Sequence, residues 1–190
     1  VLGGTATNSY IIHNGKDGII VDPADNATTI LKVVRDQNID IEAILLTHGH
    51  GDHIGALNEV RDELNVPVYL SKNDLIVYNT PSMNLATMLD LPEPDKQPDH
   101  LIDDGEVIDF KIGPVRAIET PGHTPGSMCF LIDNAVLVSG DTLFEGSIGR
   151  TDFEGGSWDD MKKSLDFLMT LPDDLQVLPG HGEATTIGKE

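Results

Sequence analysis

The segment Thr47-His48-Gly49-His50-Gly51-Asp52-His53 constrains this chain more than any other, because it packs three imidazoles and a carboxylate into one short turn. With 7 histidines in 190 residues, three at such fixed offsets arise by chance in roughly one chain in a hundred. The segment follows Ile41–Leu46, a largely apolar run that suits a strand buried on both faces. In extended backbone, side chains two apart point the same way, so His48 and His50 can share one metal ion. Asp52 and His53 are adjacent where the chain turns into a helix. They must diverge from the first pair, toward a second ion close by. Gly49 and Gly51 leave room for ions near the backbone.

Two more histidines stand in glycine-rich turns after predicted strands. His123 lies in Thr120-Pro121-Gly122-His123-Thr124-Pro125-Gly126, and His181 in Pro179-Gly180-His181-Gly182. Asp141 follows the apolar run Val136–Ser139 through Gly140, and its two oxygens could bridge both ions. Only His13 and His100 stand apart from this set. Three or more nitrogen and oxygen ligands per ion, with one position open, suit zinc, and also iron or manganese.

Around these turns the chain reads as alternating strands and helices. Strands are expected at Asn8–His13 and Gly18–Asp22, joined by an Asn14-Gly15 hairpin signal, with a helix over Asn26–Asn38. A helix with Ile54, Leu57, Val60 and Leu64 on one face follows the first histidine turn, then a strand at Val66–Leu70 and a short helix at Ser71–Asn79. Pro81, Pro92, Pro94 and Pro98 keep regular structure brief over 80–100, where Met83, Leu85, Met88, Leu89 and Leu91 read as core packing on a turn or two of helix, with a flexible wall over a substrate pocket as the second reading. The second half is strand-rich: Val107–Phe110, Val115–Glu119, Met128–Ile132, Ala135–Ser139 and Leu175–Leu178. Ser157 caps a helix over Met161–Thr170. Each half gives strands and then a helix, with no linker between. The expectation is one α/β domain over 1–190, an αββα sandwich of two mixed sheets with helices on the outer faces.

Composition enters mainly by exclusion. A net charge of -20 with 12 Lys and Arg provides no basic surface to follow a phosphate backbone, so nucleic acid is not an expected partner. No run approaches the ~20 apolar residues needed to span a bilayer. No signal peptide is visible, although the chain starts at Val1. The single cysteine, Cys129, excludes an internal disulfide framework and reads as a buried thiol, compatible with a cytoplasmic location. Trp158 reads as a packing residue.

The Thr-His-x-His-x-Asp-His turn, followed in order by Gly-His-Thr-Pro-Gly, Ser-Gly-Asp and Pro-Gly-His-Gly, resembles the metallo-β-lactamase superfamily over essentially the whole chain. The segment Leu143–Phe153, with Gly149-Arg150-Thr151-Asp152, is similar to that of small glyoxalase II-like hydrolases. This resemblance implies that His48, His50 and His123 hold one metal, that Asp52, His53 and His181 hold the other, and that Asp141 bridges. Asp22, in Val21-Asp22-Pro23, is either a turn former or a partner that orients a ligand imidazole; the resemblance implies the second. Arg150 is either a surface ion-pair residue or, as the resemblance implies, a cation for a substrate carboxylate. Glyoxalase II enzymes proper add a C-terminal helical region that this sequence, ending at Glu190, does not contain. β-Lactamases of the superfamily lack the bridging aspartate, and its flavodiiron branch carries Glu at the position of His50. The persulfide dioxygenase branch shares the metal turn and the Gly-Arg-Thr-Asp segment.

The expected chemistry is hydrolysis of an acyl thioester such as S-lactoylglutathione, a small-molecule substrate. Asp52 and Asp141 are the catalytic carboxylates, and a hydroxide between two divalent ions attacks the carbonyl. Two ions, two aspartates and a hydroxide sum to a small positive charge, which suits an anionic substrate. The alternatives are a single-iron persulfide dioxygenase, a lactone or other ester hydrolase, and a metal-binding scaffold without catalysis.

Overall fold

A computed structural model describes all 190 residues. Strands β1 (Tyr10–His13), β2 (Asp17–Val21), β3 (Asp40–Leu45), β4 (Val68–Ser71) and β5 (His100–Ile102) form one sheet in that order. The β1–β2 pair is the antiparallel hairpin that Asn14-Gly15 signals; the other neighbours run parallel. The second sheet contains β6 (Val107–Phe110), β7 (Gly113–Glu119), β8 (Met128–Ile132) and β9 (Val136–Gly140). A two-stranded ribbon, β10 (Leu143–Phe144) with β11 (Ser147–Ile148), precedes its last strands, β12 (Gln176–Pro179) and β13 (Thr185–Thr186). The order across this sheet is β13-β12-β9-β8-β7-β6, with only β12 and β9 parallel. Both sheets are therefore mixed, as expected.

Alternating side chains sort into three apolar layers. Ile19, Val21, Ala43 and Leu45 of the first sheet meet Val115, Ala117, Met128, Phe130 and Val138 of the second, forming the shared core. The opposite face of the first sheet, with Ile20, Ile44 and Leu70, is covered by α1 (Ala27–Asp36) and by Leu57 and Val60 of α3 (Leu57–Leu64). The outer face of the second sheet, with Cys129, Leu131, Leu137 and Val177, lies under Leu168 of α6 (Trp158–Leu168). Helix, sheet, sheet, helix is the resulting order. Cys129 is fully buried, and burial raises its thiol to about 11, so it is the inert packing residue expected.

Several local expectations are corrected. The helix expected after the histidine turn is broken into α2 (Gly51–Ile54) and α3. A side chain at Gly55 would sit 2.4 Å from the Ala24 carbonyl, so the chain is pressed against its neighbour at the break. The strand β5, the ribbon β10–β11 and β13 carry no sequence signal because each is only two or three residues long. Residues 85–91 are not helical. After α4 (Leu75–Asn79) and α5 (Pro81–Asn84), Leu85 and Asp90 adopt left-handed φ of 64° and 57° and turn the chain outward. Met83 is buried as expected, but Met88 is 67% exposed. Trp158 is 59% exposed rather than packed, because it starts α6 on the solvent side. No helix is long and apolar enough to cross a membrane.

Candidate metal centre

All the loops that carry the predicted ligands meet at one edge of the sandwich. His48 to His53 follow β3, His123 lies between β7 and β8, Asp141 follows β9, and His181 follows β12. Backbone hydrogen bonds fasten these loops together. Met128 N donates to Thr47 O at 2.8 Å, and Gly180 N to Gly140 O at 2.7 Å. The N-terminal segment holds the last loop: Thr7 bridges His181, and Asn8 Nδ2 donates to Pro179 O at 2.9 Å and to Gly182 O at 3.0 Å. A side chain at Gly180 would stand 2.1 Å from Asp141 Oδ1, so only glycine lets this loop close over that carboxylate.

The structure brings all seven predicted ligands into one cluster. The ligating atoms of His48, His50 and His123 lie within 4.8 Å of one another, and so do those of Asp52, His53 and His181. Asp141 stands between the two groups. Its Oδ1 is 3.3 Å from His53 Nε2, and its Oδ2 is 3.5 Å from both His123 Nε2 and His181 Nε2. A third set, His48, His53 and Asp141, also lies within 4.8 Å and joins the two groups. Four buried atoms here, Nε2 of His48, His50 and His53 and Oδ1 of Asp141, have no hydrogen-bond partner. Orphaned buried donors and acceptors are costly, and four facing one another suit bound cations. Imidazole and carboxylate donors fit divalent transition metals.

Outer contacts fix how the imidazoles point. Asp22 is buried and accepts from His53 Nδ1 at 2.8 Å, as expected of a residue that orients a ligand. Its carboxylate also accepts from Thr47 Oγ1 at 2.6 Å, and Thr47 Oγ1 lies 3.0 Å from His48 Nδ1. The Arg150 carbonyl takes His123 Nδ1 at 2.7 Å. In these three Nδ1 is committed outward and Nε2 is turned to the centre, whereas His50 turns its Nδ1 inward, 2.9 Å from His123 Nε2.

Electrostatics agree with this geometry. Burial drives His48 well below the ordinary imidazole range and His50 down to about 3, and neighbouring imidazoles add to both effects. Burial also lowers His123. His53 goes the other way: burial opposes its charge, but Asp141, Asp22 and Asp52 hold it well above its usual value. Burial disfavours the charged forms of Asp52 and Asp141 too, yet His53 keeps both below the carboxylate range. A hydrogen bond to Asp52 raises His181. Positive charge is thus favoured on the His53 and His181 side, beside Asp52 and Asp141, and disfavoured on the side of His48, His50 and His123.

Three groups escaped the sequence reading. Asp74 is fully buried beneath the two histidine turns, accepting from Gly49 N at 2.5 Å and Gly126 N at 3.0 Å. Burial raises it to about 6 despite these donors. Thr7 Oγ1 donates to Asp52 Oδ2 at 3.0 Å. Phe144 and Phe153 line a cavity of about 450 Å³ beside the cluster, together with Leu85, Met88 and Leu89, whose second reading from sequence is just such a pocket wall. An Asp in a Lys-Asn-Asp turn or a threonine near a terminus has no local pattern that foretells such contacts. Arg150 does reach the cavity, but its guanidinium is paired with Asp152.

Comparison with known proteins follows the same lines. The sequence matches the metallo-beta-lactamase superfamily over residues 2–181. It is 41% identical to the probable metallo-hydrolase YqgX of Bacillus subtilis, covering 98% of this chain and 90% of that one. It is 33% identical to the hydroxyacylglutathione hydrolase GloC of Haemophilus influenzae, covering 96% and 88%. Among solved structures, BLEG-1 B3 metallo-beta-lactamase superposes with a TM-score of 0.93 at 36% identity, covering 99% of this chain and 92% of that one. TTHA1623 in a di-iron-bound form gives 0.89 at 34% identity, covering 99% and 93%.

Proposed function

This chain belongs to the metallo-β-lactamase superfamily, and from that premise we propose that it is a binuclear metallohydrolase of acyl thioesters. Asp141 supports two ions, because its oxygens face His53 on one side and His123 on the other. The proposed pair is zinc, held by His48, His50 and His123 and by Asp52, His53 and His181. The likeness to a di-iron protein makes iron the first alternative and manganese the next. When bound, such ions supply a Lewis acid and bring the pKa of a water from 15.7 toward ~7.

The residues of the chain do the rest. Asp141 and Asp52 are placed to take the proton of an attacking water, and Thr7 and His181 hold Asp52 in position. The observation that carries the thioester reading concerns the leaving group. Every titratable group lining the cavity, apart from Arg150, belongs to the donor set. No acid outside the donor set remains to protonate a departing atom, and the only proton at hand is the one the attacking water gives up. A thiolate, whose conjugate acid has a pKa near ~8.5, can leave without one. An alkoxide or an amine cannot leave so readily. The name of GloC, a hydroxyacylglutathione hydrolase, agrees with a thioester, and S-lactoylglutathione serves as the reference thioester against which other arms are compared.

Metal analysis and a substrate panel test the proposal. Protein reconstituted with zinc, iron or manganese should hold close to two ions per chain. It should release thiol from acyl thioesters without consuming oxygen, and faster than it opens lactones or a β-lactam. One iron per chain, with oxygen uptake on a persulfide, would replace the hydrolase with a dioxygenase. Preference for the β-lactam would bring the chain closer to the B3 relative instead. The small-molecule substrate and a cytoplasmic setting complete the proposal.

A further inference from the structure

The cavity beside the metal centre is walled by apolar groups. The Phe153 ring stands edge-on to His50 at 5.7 Å, and the Phe144 ring edge-on to His181 at 6.0 Å, so a phenyl group flanks each half of the donor set. Leu85, Met88 and Leu89 supply the remaining wall. An unbranched thioether such as Met88 adapts to apolar ligands of varied shape, and here it is bare to solvent at the cavity. Apolar walls with a few fixed polar groups are the usual form of a small-molecule site.

Charge in the same cavity is balanced. Arg150 is the only Lys or Arg in the lining, and its Nε and Nη2 each donate to Asp152 at 2.7 Å, one to each carboxylate oxygen. The face of the guanidinium lies over Phe153, with its carbon 3.9 Å from the ring centroid. One edge and one face of the guanidinium are therefore occupied, and the Arg150–Asp152 pair sums to zero charge. Asp22 lies within hydrogen-bond reach of His53, so three carboxylates rather than two offset the ions. That removes the charge excess expected from counting Asp52 and Asp141 alone. A protein of net charge -20 also does nothing to draw an anion in.

We infer that the substrate's non-reacting arm is uncharged and apolar, seated between Phe144, Phe153 and the Leu85–Leu89 wall, and that Asp152 masks Arg150 against anionic arms such as glutathione. This rests on the hydrolase reading and narrows its substrate. A glutathione arm brings two carboxylates to a cavity whose one cation is already paired. A neutral alkyl or aryl arm displaces water from the phenyl and Met88 surfaces and requires no counter-charge.

Two thioesters with the same acyl group separate these cases, one with a neutral benzyl-type thiol arm and one whose arm ends in a carboxylate. The metal-loaded protein should favour the neutral arm by about tenfold or more in kcat/KM. Asp152→Asn unmasks Arg150 while disturbing only an exposed pair. It should raise kcat/KM for the anionic arm by about tenfold, the size of one charge-assisted contact, and leave the neutral arm within threefold. Equal or better turnover of the anionic arm by the wild type would overturn the inference, as would an unchanged ratio in the variant. A readout independent of turnover is the Arg150 Nε–H resonance. S-methylglutathione should shift it in Asp152→Asn and not in the wild type; a shift in both would overturn the masking. If neither thioester is hydrolysed, the hydrolase reading falls, and the resonance still decides whether Arg150 is masked.

Discussion

Asp22→Asn tests whether a single buried carboxylate sets which nitrogen His53 offers to a cation. A carboxylate only accepts hydrogen bonds, so the 2.8 Å contact from Asp22 Oδ2 keeps a proton on His53 Nδ1 and makes Nε2 the nitrogen that a cation can take in place of its proton. The other oxygen accepts from Thr47 N at 2.8 Å. An asparagine that keeps its oxygen on Thr47 N turns its amide N–H toward His53. The imidazole then accepts at Nδ1 and carries its proton on Nε2, where it cannot bind a metal. The swap propagates: the amide also donates to Thr47 Oγ1, whose own proton turns to His48 Nδ1, so His48 follows. The backbone tolerates the exchange, because Asp22 has a φ of 50° and asparagine enters that region as readily as aspartate. The ligating form of the variant lacks the hydrogen bond to a charged group that supports it in the wild type, roughly 1.5–3 kcal/mol, or about ten- to a hundredfold in affinity. Competition with a chromogenic chelator should show both stepwise metal affinities falling by that order, while circular dichroism remains that of the wild type. Affinities within threefold of the wild type would refute the tautomer argument. Thr47→Val separates its two branches, since it should weaken only the His48 side.

Three further substitutions probe the centre from other directions. Gly180→Ala puts a methyl 2.1 Å from Asp141 Oδ1 and 2.7 Å from His53 Cε1; elemental analysis should show loss of one of two ions from a folded protein, and two retained would contradict the Asp141 placement. Asp141→Asn keeps the shape but removes the charge facing both triplets, so turnover and second-ion affinity should both fall, whereas Asp152→Asn should leave turnover of a neutral thioester intact; equal losses would misassign the donor set. Asp74, raised by burial to about 6, binds its proton more tightly folded than unfolded, so its contribution to stability is greatest below pH ~4 and declines as pH rises through 6. Relative to Asp74→Asn, metal-free wild type should therefore lose roughly 1.4 kcal/mol between pH 5 and pH 7.5; denaturation curves that move in parallel would reject it.

Much of this architecture is legible in the chain itself. A histidine turn directly after an apolar strand makes a local statement, since backbone alternation puts His48 and His50 on one side, whatever the rest of the fold does. Hairpin, capping and periodicity signals are equally local. Asn14-Gly15 turns β1 into β2, and Ser157 accepts from Asp160 N at 3.2 Å at the start of α6. Other features depend on partners far away in sequence. Asp74 looks like any turn aspartate until the fold lays it against Gly49 and Gly126. Thr7 acquires its role only because the N-terminal segment pairs with the loop of His181. Arg150 shows the difference within one residue. Its position beside the site follows from the sequence motif, but whether its charge is free depends on the rotamer that brings it onto Asp152 and over Phe153. Sequence records which groups are present and the short-range geometry that backbone periodicity enforces. Which charges are already neutralised, and which apolar surfaces remain bare beside the metals, is decided by contacts between segments that only the closed sandwich brings together.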